Sequence, residues 1–224
     1  MRDPVRARPC TPWVLALVLL FLLPVDSAAQ TVPGSGRGWS LGAAGGAVEY
    51  DVAGGLTGWE WGPDVSHRGD RVTVGLGYRR LEIGSGNVTP HVVRASAHAR
   101  LASVAGLTVG FVAHGGGSRF VAGADRGEVT TGGAGIRVAR RSGSAGPSLL
   151  PFVEVRGLFA ASRGQVIGEA MDANGSSLGV ETGATLVVRR MEVWVAGSMD
   201  PLASGLGVPP YATRGLRAGL GYRF

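Results

Sequence analysis

Four histidines, His67, His91, His98 and His114, are the side chains in this 224-residue sequence best suited to proton transfer near neutral pH. Hydrolysis would need one of them beside a nucleophile or an activated water, with a third group to orient it. The densest local group is Ser66-His67 with Asp64 and Asp70. It falls in a Gly- and Pro-containing stretch that reads as a connection, and adjacent residues rarely form a catalytic dyad, so a solvated turn is expected. His98 and His114 are expected on the same face of two neighbouring runs, yet no carboxylate motif or further ligand completes a metal site. Structural hydrogen bonding is the expected role of both. No phosphate loop, dinucleotide fingerprint or paired-carboxylate motif occurs, and Gly115-Gly116-Gly117 reads as loop material. The sequence thus predicts no catalytic residue, no metal and no cofactor.

The charged residues are the second candidate. The 22 Lys+Arg residues are all Arg, and the formal net charge is +6. The arginines stand singly in apolar-alternating runs, with no basic tract of the kind that tracks a nucleic acid, which excludes that partner. Arg71, Arg79, Arg94, Arg100, Arg137, Glu154, Arg156, Glu181, Arg189, Glu192, Arg217 and Arg223 are predicted to share an inward face. Two accounts follow. An Arg-rich lumen would favour anions in a narrow pore. Alternatively, the charges pair with one another inside a barrel too narrow for bulk water.

These faces come from a strand period. Repeated runs of about ten residues are apolar at every second position. In 71–79, Val72, Val74, Leu76 and Tyr78 oppose Arg71, Thr73, Gly75, Gly77 and Arg79. In 93–101, Val93, Ala95, Ala97, Ala99 and Leu101 oppose Arg94, Ser96, His98 and Arg100. Further runs follow at 107–113, 136–138, 153–155, 178–189, 192–195 and 216–224. The connections at 103–106 and 189–191 are short, that at 141–148 is longer, and those at 81–90, 115–127, 163–176 and 200–212 read as long loops. Eight strands follow residue 70, and Trp39–Tyr50 with Leu56–Trp61 adds a hairpin. Ten strands are expected, eight with an N-terminal extension being the alternative. Mid-strand charges opposite apolar faces, with aromatics near strand ends, favour a closed antiparallel transmembrane barrel over a soluble sandwich. Strands cross a bilayer only when closure pairs every backbone group.

The N-terminus reads as a secretory signal: Arg2, Arg6 and Arg8, then the apolar run Trp13 to Leu23, then the small-residue site Ser27-Ala28-Ala29. That run is roughly half of the about 20 residues a spanning helix needs. The expected division is a cleaved signal peptide at 1–29, a short periplasmic segment at 30–38 and a barrel at 39–224. Cys10 precedes the apolar run, so lipidation is not expected and the mature chain carries no cysteine chemistry.

The sequence closes on Gly219-Leu-Gly-Tyr-Arg-Phe224 with the alternation intact. With the signal region and the strand repeats, this resembles the small outer-membrane β-barrels of the opacity-protein type. In that family a last strand ending in Phe is read by the barrel-assembly machinery, and Leu216, Leu220, Tyr222 and Phe224 match that pattern, Ala218 being a weaker member. The resemblance implies outer-membrane lipid and the assembly machinery as partners, and a structural or surface-interaction role. A narrow channel is the alternative, and a lipid- or peptide-hydrolysing barrel a third reading. No His-x-Ser-Asn motif resembling the lipid A deacylase barrels is present, nor the acidic and His pattern of the barrel proteases.

Overall fold

The computed structural model describes residues 37–50, 56–83, 91–122, 125–140, 147–166, 169–199 and 212–224. The expected signal peptide, Cys10 and residues 30–36 lie outside the described residues, as does the connection 200–211.

Ten strands follow in order: β1 (Gly38–Tyr50), β2 (Leu56–Arg68), β3 (Val72–Ile83), β4 (His91–Val104), β5 (Leu107–Ala122), β6 (Asp125–Arg140), β7 (Ser148–Val166), β8 (Glu169–Val188), β9 (Met191–Met199) and β10 (Ala212–Arg223). Each pairs antiparallel with its sequence neighbours, and β1 pairs with β10, so the sheet is a closed barrel. The seam runs from Ser40↔Arg223 to Tyr50↔Ala212, and the Phe224 amide donates to the Trp39 carbonyl at 2.9 Å. Both ends of the barrel sheet therefore leave the same rim, here called proximal; the other rim is distal.

Alternation sorts the side chains as the period requires. Leu41, Val74, Leu76, Val93, Phe111, Ile136, Val155, Phe159, Leu178, Val195, Leu216 and Leu220 all point outward and are exposed. A continuous apolar surface of this kind is unfavourable in water and suits hydrocarbon, so the barrel spans a membrane. Along β7 the band runs from Leu149 to Phe159, about 33 Å of strand at roughly 3.3 Å per residue, or about 25 Å of depth at a tilt of about 40°. Outward charges mark its distal limit, where Arg80 pairs with Glu82 at 3.5 Å and Arg119 with Glu128 at 3.7 Å. Aromatics mark both limits. Tyr222 and Phe224 meet edge-on at the proximal rim, and Trp61 lies under the Arg80 guanidinium at the distal one.

Three local features depart from the sequence reading. The stretches 115–127 and 163–176 are largely strand: pairing continues to Ala122↔Asp125 and Val166↔Glu169. A paired neighbour supplies the backbone hydrogen bonds whatever the propensity of Gly, Ser or Asn. On the far side β9 ends at Met199, opposite Val180, so among the described residues β5 to β8 rise past the distal rim as a four-stranded sheet. Second, β2 continues through Asp64, Ser66 and His67, which were expected in a turn; the reversal comes at 69–71. Third, β8 ends at Val188, so Arg189 lies in the two-residue turn 189–190 and not on an inward strand face; this turn and the one at 105–106, both expected to be short, put Ala105, Gly106 and Arg189 at positive φ.

Candidate functional site

The inward face is where charge collects, and most of it is paired. Arg137 on β6, Glu154 and Arg156 on β7, and Glu181 on β8 form a ring of alternating sign. Arg137 donates to Glu154 (Nε–Oε2 2.8 Å) and approaches Glu181 at 3.5 Å; Arg156 Nη1 donates to Glu154 at 3.1 Å and to Glu181 at 3.0 Å. The register explains the ring, because Arg137↔Glu154 and Glu154↔Glu181 are direct cross-strand pairs. Glu154 is almost fully buried, and the Arg137 guanidinium also lies 4.2 Å from the centre of the Phe152 ring. With two cations and two anions, this group is neutral.

A second group is centred on Glu60 of β2, whose carboxylate takes a two-pronged contact from Arg94 (3.1 and 2.9 Å) and one from Arg217 Nε at 2.5 Å. Arg217 and Glu60 both pair with Gly46 of β1, one on either side. A Cβ at Gly46 would run into the Leu216 carbonyl and the Arg217 Cα, so only glycine lets the two side chains meet across the seam. Two guanidinium groups on one carboxylate leave this group with one positive charge in excess.

The third group mends a break in the sheet. The β2–β3 ladder is interrupted at Gly62 and Pro63, because proline has no N–H to donate. Arg79 occupies the gap. Its Nη1 donates to the carbonyls of Tyr78 (2.8 Å), Pro63 (3.0 Å) and Gly62 (3.3 Å), while Nη2 holds Asp64 at 2.7 and 2.6 Å. At the proximal mouth, Glu192 binds Arg68 at 3.1 Å and also Arg223. Outside the lumen, Arg37 clamps Asp70, whose backbone carbonyl accepts from Arg100 at 2.8 Å. That hydrogen bond from Arg37 holds the Asp70 carboxyl below its ordinary value.

Nine of the twelve residues expected to face inward, Arg79, Arg94, Arg137, Glu154, Arg156, Glu181, Glu192, Arg217 and Arg223, thus meet in ion pairs. Arg100 reaches the proximal turn instead. Arg71 and Arg189 lie in turns and are exposed, a correction whose cause is simple: counting by two past the end of a strand has no meaning once the chain reverses. Glu60, Asp64 and Arg68 belong to the network and were missed. The signal was present, since Trp59, Trp61, Pro63, Val65 and His67 alternate with Glu60, Gly62, Asp64, Ser66 and Arg68; Glu60 lies in the expected strand 56–61, and reading the stretch around Pro63 as a connection concealed Asp64 and Arg68. Leu216, Leu220, Tyr222 and Phe224 lie exposed on the outward face of β10.

The histidines separate. Ser66 faces the lumen while His67 points outward against Trp39, ring centres 4.9 Å apart, so the two are on opposite faces of one strand. His91 hydrogen-bonds Tyr78 through Nδ1 at 2.5 Å. His98 and His114 line a lumenal cavity of about 580 Å³ together with Arg94, Ser96, Thr131 and Arg217. An eight-stranded barrel is filled by its side chains; ten strands with glycines at inward positions such as Gly42, Gly75 and Gly77 leave this space. Val48, Leu81 and Val129, nearly fully buried on the distal side, are not part of its lining. Among the described residues no cluster of three metal-ligating side chains forms.

No protein-family model matches this chain, and no curated protein sequence matches it. Solved structures do. The β domain of the Bordetella autotransporter BrkA aligns with a TM-score of 0.51 at 11% identity, covering 84% of this chain and 100% of that one. The translocator domain of the autotransporter NalP from Neisseria meningitidis gives 0.45 at 14% identity, covering 84% and 89%. Neisserial surface protein A gives 0.39 at 13% identity, covering 83% and 96%. What this chain shares with the first of these is the fold, a closed antiparallel β-barrel.

Proposed function

We propose that this protein is an integral barrel of the cell outer membrane with a structural or surface-interaction role and a lumen that does not conduct. The proximal rim faces the periplasm, and the extended sheet of β5 to β8 stands outside the cell. The observation that carries this reading is the pairing of the inward charges. A pore that selects anions needs unpaired cations along its whole length, whereas here the ring of Arg137, Glu154, Arg156 and Glu181 neutralises itself and Arg79 is held by Asp64. The outward face of β10, with Leu216, Leu220, Tyr222 and Phe224, is the surface offered to the barrel-assembly machinery, and outer-membrane lipid covers the apolar band.

The test is reconstitution. Purified protein should show heat-modifiable gel mobility, and planar bilayers containing it should stay near background conductance. In whole cells, residues of the β7–β8 hairpin should react with an impermeant label. Discrete conductance steps would replace this reading with the narrow-channel one, and recovery in the soluble periplasm would overturn it altogether.

A further inference from the structure

The cavity described above has a polarity that lumen packing does not require. Its lining includes Arg68, Arg79, Arg94, Arg137, Arg156 and Arg217 against Asp64, Glu154, Glu181 and Glu192. The neutral ring, the Arg79–Asp64 pair and the Arg68–Glu192 pair account for four of those arginines and all four acids. Arg94 and Arg217 remain, sharing the single carboxylate of Glu60, which lies behind them and outside the lining. Glu60 is only 2% exposed, yet 39% of the Arg94 side chain is accessible although it points into the barrel. Its guanidinium is therefore fixed from behind by a two-pronged bond and open in front.

The surroundings of Arg94 are shaped like a recess. Across the ladder its partners are Gly77 of β3, over which the Asp64 carboxylate held by Arg79 lies, and Gly116 of β5, which has no side chain. Ser96, the next inward residue, is exposed to the lumen and likewise has Gly75 beside it. His114 pairs with Ser96, and Thr131 lies beyond Gly116, so an imidazole and two hydroxyl groups border the same hollow. A fixed cation, a positive excess and a rim of short hydrogen-bonding groups are the elements of an oxyanion pocket. Because Ser40, Arg68, Thr73 and Glu192 also line the cavity, it extends toward the proximal mouth.

We propose that this recess binds a small oxyanion, the carboxylate or phosphate of a solute arriving from the proximal side, with Arg94 as its principal contact and Ser96, His114 and Thr131 around it. The bound anion supplies the charge that the Glu60 group lacks. This goes beyond the surface role and does not depend on it, since a barrel that conducts and one that does not can both hold the anion. The two failures separate cleanly, one read by conductance and the other by binding.

Calorimetric titration of the folded full-length barrel in detergent, at low chloride, with inorganic phosphate in one arm and succinate in the other, tests it. Saturable binding in either arm supports the site, and the arm that binds more tightly identifies the group it prefers. Arg94→Gln should weaken binding at least tenfold. Ser96→Leu, which fills the recess without touching an ion pair, should abolish it while leaving heat-modifiable mobility unchanged. Absence of saturable heat in both arms overturns the proposal, and so does binding that Ser96→Leu leaves intact.

Discussion

Replacing Glu154 by Gln is the sharpest test of the lumenal network. The carboxylate accepts from Arg137 at 2.8 Å and from Arg156 at 3.1 Å, and is itself almost inaccessible. The amide keeps the shape but removes the charge, leaving two guanidinium groups with Glu181 alone at 3.5 and 3.0 Å. Breaking a buried pair by removing one partner costs about 3–5 kcal/mol. Two effects reduce that here: the amide oxygen still accepts one bond, and 27% of the Arg137 side chain is accessible from the cavity. The expected loss is about 2–3 kcal/mol, or roughly 30- to 150-fold in the unfolding equilibrium. Urea unfolding of the protein in lipid vesicles, followed by tryptophan fluorescence, measures it. Glu128→Gln is the internal control. Its pair with Arg119 is exposed on both sides at 3.7 Å, and its loss should stay within about 0.5 kcal/mol. In the double variant Glu154→Gln/Arg156→Gln, Arg137 and Glu181 are left one to one, so the cost should fall short of the sum by about 1–2 kcal/mol. Equal costs for Glu154→Gln and Glu128→Gln, or strict additivity in the double variant, would refute the idea that the ring acts as a unit.

Three further outcomes are expected. Arg79→Lys keeps the charge but loses the fork that reaches three carbonyls and Asp64, and should cost about 2 kcal/mol in the same unfolding assay. Val155→Arg, near the middle of the apolar band, should cost about 2–4 kcal/mol in lipid, whereas Ala161→Arg, beyond Phe159, should be nearly neutral. Asp70 should titrate below an ordinary aspartate by NMR, and Arg37→Gln should return it upward. With the folded value depressed, the Asp70 contribution is present at neutral pH and is lost as pH falls through that lowered value.

The strand period was legible because lipid imposes it: Val72, Val74, Leu76 and Tyr78 must face hydrocarbon and their neighbours must not. The strand count of ten followed from the hairpin seen in Trp39, Trp59 and Trp61, and the structure has ten. Strand ends were not legible. Gly and Ser in 115–127 look like loop because propensity is a property of one segment, while pairing depends on the strand beside it. Pro63 concealed Asp64 and Arg68 for a related reason. A proline normally ends a strand, and only the later Arg79 side chain, remote in sequence, makes this one tolerable. The excess charge at Glu60 was invisible for another reason. It depends on Arg94 and Arg217 converging from strands that meet only when the barrel closes over Gly46.

The sheet that rises beyond the distal rim carries a hazard of its own. Among the described residues β8 has no ladder partner on its β9 side from 169 to 179, which leaves a row of amides and carbonyls there without a strand partner among those residues. In a membrane crowded with copies of one protein, such an edge invites neighbours to zip together into a common sheet. Its middle, Asn174-Gly-Ser-Ser177, is made of poor strand formers without a large apolar side chain. Such residues weaken strand pairing of that kind. This also sets a limit on engineering: valines or isoleucines placed there to stiffen the hairpin would make the protein self-associate laterally.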